Sequence, residues 1–295
     1  MTVMQAGSAL HLPPIAVGAL AVVRVVDCVE HFSPRAILRG VTYEHLQPHL
    51  DWLRPHFLDE KLRLRMPIQS FVFRTRHHTV LIDTCVGNHK RSGFRQWNGR
   101  TDSALPASLR AAGFPPESID TVFCTHLHVD HAGWNTQLRD GRWVPTFPNA
   151  RYLFRREEFA HWEASPEEHF RWTFDASIHP VLEAGQVDWV DADFALDDAV
   201  TLEPTPGHTP GHTSVHLRSA GQEAVITGDV LVSPFEVAEP DWGQLGDADP
   251  ERARQTRRRF LDAYCDTDVR ILGSHFADPT AVRIVDTPQG RRVRG

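Results

Sequence analysis

The stretch Thr121-Val-Phe-Cys-Thr-His126-Leu-His128-Val-Asp130-His131-Ala-Gly133 places four side chains that can bind a metal ion within six residues. The apolar residues at its start predict a strand that leads directly into these four groups. A buried imidazole or carboxylate needs a polar partner, and four of them at one strand end are difficult to satisfy with protein groups alone. Because a metal ion supplies that partner, the stretch predicts a metal site.

Three further candidate ligands also lie next to apolar runs that predict strands. His212 comes directly before such a run, whereas Asp229 and His275 each follow one after a glycine turn. The segment 203–214 holds two histidines, and we expect His212 to be the ligand and His208 to support the loop. Mixed imidazole and carboxylate ligation without a nearby Cys cluster indicates a catalytic site rather than a closed structural zinc site.

The order of predicted elements indicates a mixed α/β fold, because runs rich in Val, Ile and Phe alternate with helical segments. Among these, the runs Ala19–Val26, Ser70–Arg74 and Thr79–Ile82 predict strands, and Pro250–Ala263 predicts a helix. The turn Ser219-Ala-Gly-Gln222 predicts a hairpin, and Asp249 followed by Pro250 predicts the start of a helix. The sequence has no internal repeat and no long linker. We therefore expect a single domain over residues 1–295, in which residues 1–65 form an N-terminal extension that packs on the domain or on a partner subunit.

Composition excludes several classes of protein. The chain has 295 residues and a formal net charge of −7, and nucleic-acid binding needs clustered positive charge, so we expect no nucleic-acid partner. The apolar run Ile15–Val23 is shorter than the roughly 20 residues that span a bilayer, so we expect no membrane partner and a cytoplasmic location. The four cysteines are far apart in sequence, and we expect free thiols.

Taken together, the motifs resemble the ordered ligand set of the metallo-β-lactamase-fold hydrolases. The resemblance covers Val80 to His275 and includes the strand Leu81-Ile82-Asp83-Thr84, whose Asp in that family supports the site from behind the ligands. It implies a four-layer αβ/βα sandwich with the metals at one edge of the sheets. Carried over by position, it implies two sets of three ligands and a bridging Asp229: His126, His128 and His212 on one ion, and Asp130, His131 and His275 on the other.

The resemblance also implies a cofactor and a mechanism. Two divalent ions, with zinc as first choice and manganese, cobalt or iron as alternatives, would share a bridging hydroxide that attacks an ester, lactone or phosphotriester. Asp130 is the candidate for proton transfer to the leaving group, and Asp229 is the candidate bridge. Asp83 and His208 are expected to orient ligands. Aromatic residues in loops near the motifs are expected to line the substrate pocket: Trp134, Phe94, Phe235 and Trp242.

Differences from individual branches of this family restrict the expected class of substrate. Zinc β-lactamases of the commonest type place Cys where this chain has Asp229, and flavo-diiron proteins place Glu where it has His128. Trp134-Asn135 and Phe147–Phe154 resemble the branch of quorum-quenching lactonases and methyl-parathion-hydrolase-like enzymes. Lactonases place a Tyr shortly after the bridging Asp, however, and this chain continues Val230–Phe235 without one.

Alternative functions stay open at this stage. Persulfide dioxygenases resemble the same ligand pattern but use a single iron, and a hydrolytic dehalogenase of the same fold is a further alternative. A binding protein without catalysis is disfavoured because every ligand type is retained. The sequence leaves open the substrate, the native metal and whether the chain forms a homodimer.

Overall fold

The structure is a computed structural model that describes residues 13–295. These residues form two compact units. The first comprises residues 13–16, Leu20–Cys28 and Ile68–Asp191, and the second comprises Val17–Ala19, Val29–Pro67 and Ala192–Gly295. The single domain over residues 1–295 stays a prediction. Residues 1–12 of the expected N-terminal extension lie outside the described residues, and the rest of it is divided between both units.

The described residues contain strands and helices that interleave along the chain, as the sequence predicts. The strands are β1 Ile15–Val17, β2 Leu20–Phe32, β3 Leu64–Arg74, β4 Thr79–Ile82, β5 Thr121–Phe123, β6 Thr136–Arg139, β7 Arg142–Pro145, β8 Arg151–Arg155, β9 Val187–Val190, β10 Ala195–Asp197, β11 Val200–Pro204, β12 Thr213–Ser219, β13 Gln222–Ile226, β14 Arg270–Leu272, β15 Ala281–Val285 and β16 Arg292–Arg294. The α-helices are α1 Pro34–Ile37, α2 Tyr43–Leu46, α3 Leu50–Leu53, α4 Leu105–Ala111, α5 Val129–Ala132, α6 Arg156–Glu163, α7 Glu168–Thr173, α8 His179–Glu183, α9 Phe235–Ala238 and α10 Pro250–Tyr264.

The main sheet of the first unit has the strand order β1-β2-β3-β4-β5-β8-β9, and β6 pairs with β7 in a separate ribbon. Strands β4, β5, β8 and β9 are parallel to one another. Nearly all residues of β4 and β5 are buried, which is typical of parallel strands covered on both faces. Because Ile82 pairs with Phe123, the residues that follow β4 and β5 emerge at the same edge of the sheet.

The sheet of the second unit has the strand order β10-β11-β12-β13-β14-β15-β16. Strands β12 and β13 form the predicted hairpin, in which Ser219 pairs with Gln222. Both residues at its tip, Ala220 and Gly221, have positive φ angles, as the tight two-residue turn requires. Strand β14 runs parallel to β13, so their carboxyl ends share one edge with the start of β12.

Helix α10 begins where the sequence predicts. The Asp249 carboxylate accepts a hydrogen bond from the Arg252 backbone N–H, and Pro250 occupies the first turn. One face of the helix is buried through Phe260, Leu261 and Tyr264 in the apolar core of the second unit.

All four cysteines are free, as expected. Among the helices of residues 13–295, none combines the length and the apolar character needed to cross a membrane.

Candidate metal centre

The first group of candidate ligands is the segment His126–His131, called here the histidine turn, which follows β5 and includes the first residues of α5 in the first unit. The His131 N–H donates to the His128 carbonyl at 3.1 Å, and the Thr84 N–H donates to the His131 carbonyl at 2.7 Å. A Cβ at Gly133 would lie 1.8 Å from the Val86 carbonyl oxygen, so only glycine permits this close approach. The turn is therefore held tightly against the segment that follows β4.

The side chains of the histidine turn converge. His126 Nε2 lies 3.0 Å from His128 Nδ1, and His131 Nε2 lies 3.7 Å from Asp130 Oδ2. The His126 and His131 rings are also adjacent, with centroids 4.0 Å apart. His126 and His131 are almost completely buried, whereas His128 and Asp130 are partly exposed. The turn thus presents nitrogen and oxygen donors together at one edge of the sheet.

Asp83 contacts the histidine turn in the manner that the resemblance implies. Its Oδ2 lies 2.9 Å from His131 Nδ1, and its Oδ1 accepts the Thr125 backbone N–H at 2.7 Å. The register between β4 and β5 explains the contact, because Asp83 and Thr125 follow neighbouring strands at the same edge. With Nδ1 of His131 occupied by a carboxylate, Nε2 is the nitrogen that remains for a metal.

Glu158 on α6 is a buried group that the sequence analysis missed. Its Oε1 accepts the Leu127 N–H at 3.0 Å and the Trp162 indole N–H at 2.7 Å. Leu127 lies between His126 and His128, so this carboxylate supports the backbone of the histidine turn itself. The four-residue spacing of Glu158 and Trp162 on a helix was visible in the sequence, but nothing in the sequence related it to Leu127.

The second group, called here the Asp229 cluster, consists of His208, His212, Asp229 and His275 in the second unit. Asp229 and His275 follow the parallel strands β13 and β14, and both histidines at 208 and 212 lie in the turn between β11 and β12. A Cβ at Gly207 would lie 2.2 Å from the Ala253 nitrogen, so this turn packs directly on the start of α10. Sheet topology thus brings together residues that are up to 67 positions apart in the sequence, from His208 to His275.

The two oxygens of Asp229 face two different histidines. Oδ1 lies 3.2 Å from His275 Nε2, and Oδ2 lies 3.5 Å from His208 Nε2. The other ring nitrogen of His275, Nδ1, lies 2.9 Å from the Pro67 carbonyl oxygen. A carbonyl accepts only, so this contact assigns the His275 proton to Nδ1 and leaves Nε2 directed at Asp229.

His208 and His212 differ in what their ring nitrogens contact. The Asp229 backbone N–H donates to His212 Nε2 at 2.7 Å, and His212 Nδ1 lies 2.8 Å from the Thr205 hydroxyl. Both ring nitrogens of His212 therefore take part in hydrogen bonds that hold the loop, while His208 Nε2 faces the Asp229 carboxylate. The geometry favours His208 over His212 as a ligand, the reverse of our expectation.

The aromatic residues expected to line a pocket have different environments. In the first unit, Phe94 is 42% exposed and Trp134 is buried, with its indole N–H donating to Ser103 Oγ at 2.6 Å. In the second unit, Phe235 has no exposed surface, and Trp242 is half-buried against the His45 ring. Phe235 therefore offers no surface to a ligand in this conformation, because it packs in the interior.

Ser103 connects Trp134 to a buried carboxylate. Its hydroxyl donates to Asp27 Oδ1 at 2.5 Å while it accepts the indole N–H. Burial raises the pKa of Asp27 above its ordinary value. The Trp134 side chain is thus fixed by a short chain of polar contacts.

Comparison with known families identifies the fold. A model of the metallo-beta-lactamase superfamily matches residues 64–275, which include both groups of candidate ligands. The chain belongs to this superfamily. Solved structures agree across nearly the whole chain of this superfamily member: the dizinc quorum-quenching lactonase AidC has a TM-score of 0.80 at 23% identity, covering 95% of this chain and 96% of that one. The predicted superfamily and its mixed α/β fold are confirmed.

Other relatives of this superfamily member are also hydrolases. The hydrolase AbOPH has a TM-score of 0.79 at 22% identity, covering 95% of this chain and 96% of that one. Among curated proteins, the N-acyl homoserine lactonase AiiB from Agrobacterium fabrum is 32% identical over 105 residues, which make up 32% of this chain and 35% of that protein. The match therefore spans about a third of the length of that relative.

Proposed function

We propose that this member of the superfamily is a metal-dependent hydrolase whose ligands for divalent ions are those of the histidine turn and those of the Asp229 cluster. The observation that carries the proposal is the Asp229 carboxylate, whose two oxygens face two different histidines. A carboxylate in that arrangement suits a bridge between two ions. The family match supports this reading because it extends from before β4 to His275 and so includes every candidate ligand.

The donor sets fit divalent metal ions. The histidine turn offers two imidazole nitrogens 3.0 Å apart, an approach that is unfavourable unless a proton or a cation lies between them. The Asp229 cluster offers imidazole nitrogens with a carboxylate. Imidazole and carboxylate ligands suit zinc, manganese, cobalt or iron, and mixed ligation of this kind is typical of catalytic sites. Zinc is our first choice, and the dizinc lactonase AidC among the similar structures supports it.

Where the geometry differs from the expectation based on the sequence, the proposed ligands follow the geometry. In the first unit they are His126, His128, Asp130 and His131, and in the second unit they are His208, Asp229 and His275. His208 replaces His212, because both nitrogens of His212 are hydrogen-bonded to Thr205 and to the Asp229 backbone. His212 then has the supporting role that the sequence suggested for His208.

The ions would supply Lewis acidity and a water of lowered pKa. The chain's own groups would orient and protonate. Asp83 would hold the His131 ring through Nδ1, and Glu158 would hold the backbone of the histidine turn through Leu127. Asp130, whose side chain is 13% exposed, is our candidate for delivering a proton to the leaving group.

The proposed substrates are small esters, lactones or phosphotriesters. Lactonases recur among the relatives, although the chain has Val230–Phe235 where lactonases place a Tyr after the bridging Asp. Lactones, aryl esters and phosphotriesters therefore all belong in a substrate screen. A cytoplasmic location and the absence of a nucleic-acid partner stay predictions from the sequence. Whether the chain forms a homodimer stays open.

Metal quantification on purified protein, followed by that screen, tests the proposal. We expect two equivalents of zinc or manganese per chain and hydrolysis of at least one of the three substrate classes. One equivalent of iron with oxidation of persulfides would replace the proposal with the dioxygenase alternative. Turnover confined to halogenated aromatics would replace it with the dehalogenase alternative, and full turnover after removal of all metal would contradict it.

A further inference from the structure

Asp247 contacts the His208 ring from the side opposite Asp229. Its Oδ1 lies 3.1 Å from His208 Nδ1, while His208 Nε2 faces Asp229 Oδ2 at 3.5 Å. The Asp247 side chain has no exposed surface, and that of His208 is 6% exposed. The imidazole therefore lies between two carboxylates, one at each nitrogen, in a buried environment.

The second oxygen of Asp247 is also engaged. Its Oδ2 accepts the Gln244 backbone N–H at 2.9 Å and lies 3.8 Å from the Arg257 guanidinium. Donors thus approach the carboxylate from the loop before it and from α10. An ionised carboxylate can only accept hydrogen bonds, so the contact at Oδ1 requires His208 to carry its proton on Nδ1. In the neutral ring, Nε2 is then the unprotonated nitrogen.

Arg257 and Glu236 fix the loop that delivers Asp247. The Arg257 guanidinium is buried and donates to the carbonyl oxygens of Val230, Pro240 and Trp242. It also lies 3.2 Å from Glu236 Oε1.

Gln244 connects this network to the Asp229 cluster. Its side-chain N–H₂ donates both to Glu236 Oε1 at 3.1 Å and to the Asp229 carbonyl oxygen at 2.9 Å. The position of Asp247 relative to His208 is therefore determined by a buried network and not by a mobile side chain.

The same arrangement occurs twice more among the candidate ligands. His131 has Asp83 at Nδ1, and His275 has the Pro67 carbonyl oxygen at Nδ1. In each case an acceptor at Nδ1 leaves Nε2 for the candidate metal site, and such acceptors orient metal-binding histidines generally. Asp83 was expected from the sequence, whereas Asp247 was not.

We propose that Asp247 is a positioning residue that holds His208 in the tautomer with an unprotonated Nε2 and aims that nitrogen at the metal site. The proposal rests on the proposed function in naming a metal as the partner of Nε2. The contact between Asp247 and His208 is a property of the chain itself and is testable without metal.

Two measurements on Asp247→Asn test the proposal. The first is zinc affinity by competition with a chromophoric chelator. We expect the weaker-binding of the two zinc ions to lose about 10- to 100-fold in affinity, the usual cost of removing such a partner.

The second measurement is the Nδ1–H signal of His208 in ¹⁵N-labelled protein, assigned by its loss in His208→Asn. We expect that signal to disappear or broaden. The carboxylate uses one oxygen for His208 and the other for Gln244, whereas the Asn amide has only one acceptor oxygen.

Asp59→Asn is the matched control. Asp59 is also a buried aspartate whose carboxylate contacts a histidine, His31, at 3.0 Å, but it lies outside the network around Asp247. We expect this variant to lower the free energy of unfolding while keeping the His208 signal and the wild-type zinc affinity. Asp247→Glu, which retains a carboxylate, is expected to recover the signal and part of the affinity.

The outcomes separate the two proposals. Wild-type affinity and an intact His208 signal in Asp247→Asn would overturn the positioning role. An equal loss of affinity in Asp59→Asn would overturn it too, because the effect would then come from a general loss of stability. Failure of the wild-type protein to bind zinc or manganese would overturn the proposed function instead, and the His208 signal in metal-free protein would still decide the role of Asp247.

Discussion

The histidine turn and the Asp229 cluster collect similar side chains in opposite ways. The histidine turn takes four candidate ligands from six consecutive residues after a single strand. The Asp229 cluster takes its members from the ends of three strands of one sheet, β11, β13 and β14. A local motif can be recognised in sequence because spacing alone brings its residues together, whereas the members of the Asp229 cluster are neighbours only through strand register.

Both groups nevertheless depend on acceptors from distant segments. Asp83 and Glu158 support the histidine turn from 48 and 31 residues away. Asp247 contacts His208 from 39 residues away, and the Pro67 carbonyl contacts His275 from 208 residues away. Ligand-type residues can thus be local or dispersed, but the groups that orient them are contributed by the tertiary structure in both cases.

The sharpest test of the comparison is the choice between two histidines of the Asp229 cluster. His208→Ala is expected to lower kcat/KM by at least about 10³-fold and to lose bound metal, because loss of a ligand exceeds the about 10- to 100-fold cost of losing a supporting partner. His212→Ala is expected to keep two equivalents of metal and to lose stability, because the buried Asp229 N–H loses its acceptor. Metal content and steady-state kinetics check both variants, and the reverse pattern would restore the order first expected from the sequence.

The network behind the Asp229 cluster predicts the largest effect on stability. Arg257→Met leaves the buried Glu236 carboxyl without its cation, and breaking a buried pair in this way costs about 3–5 kcal/mol in the free energy of unfolding. Urea denaturation measures the loss. The double variant Arg257→Met with Glu236→Gln is expected to be more stable than the single Arg257 variant, and a purely additive result would contradict the pairing.

Support of the histidine turn predicts a smaller effect. Glu158→Gln replaces the carboxylate that accepts the Leu127 and Trp162 N–H groups by a neutral amide oxygen, which forms weaker hydrogen bonds. We expect a loss of about 1–3 kcal/mol in the free energy of unfolding. The exposed Glu163→Gln on the same helix is the control and should change stability by less than about 0.5 kcal/mol. Equal effects of the two changes would remove Glu158 from this role.

The last comparison is between a buried basic side chain of each unit, Arg257 and Lys90, which differ in their partners. Arg257 is paired with a carboxylate, whereas Lys90 donates to the Thr136 hydroxyl at 2.6 Å and the Ala176 carbonyl at 2.8 Å and lies 3.5 Å above the Trp143 ring. Burial lowers the pKa of Lys90 to about 6. The unfolded chain keeps a lysine pKa near about 10.4, so between these values it binds more protons than the folded chain, and stability rises with pH.

The increase in the free energy of unfolding that Lys90 can cause has an upper limit of about 1.4 kcal/mol per pH unit. Urea denaturation at several values between pH 7 and pH 9 measures it, and Lys90→Met is expected to flatten the dependence. An unchanged slope in the variant would indicate that the Trp143 ring and the two oxygens keep Lys90 protonated in the folded protein.

Secondary structure was predictable where the pattern was strong. Strand β4 was predicted at its observed bounds, and α10 was predicted within one residue at its end. Strand β2 was predicted to end near Val26 but continues to Phe32, because polar residues such as Asp27 and Glu30 interrupt the apolar pattern. Strand β3 was predicted from Ser70 but begins at Leu64, since Pro67 interrupts the apolar run and is disfavoured in strands.

The sequence by itself determined the superfamily, the histidine turn and the candidate identity of Asp229 and His275, because each follows a recognisable apolar strand and spacing alone defines it. Only the tertiary structure distinguished the surroundings of His208 from those of His212 and revealed Glu158 and Asp247. Two histidines four residues apart are equivalent in a linear pattern. Which ring nitrogen faces a carboxylate depends on sheet register and on hydrogen-bond partners that lie tens of residues away.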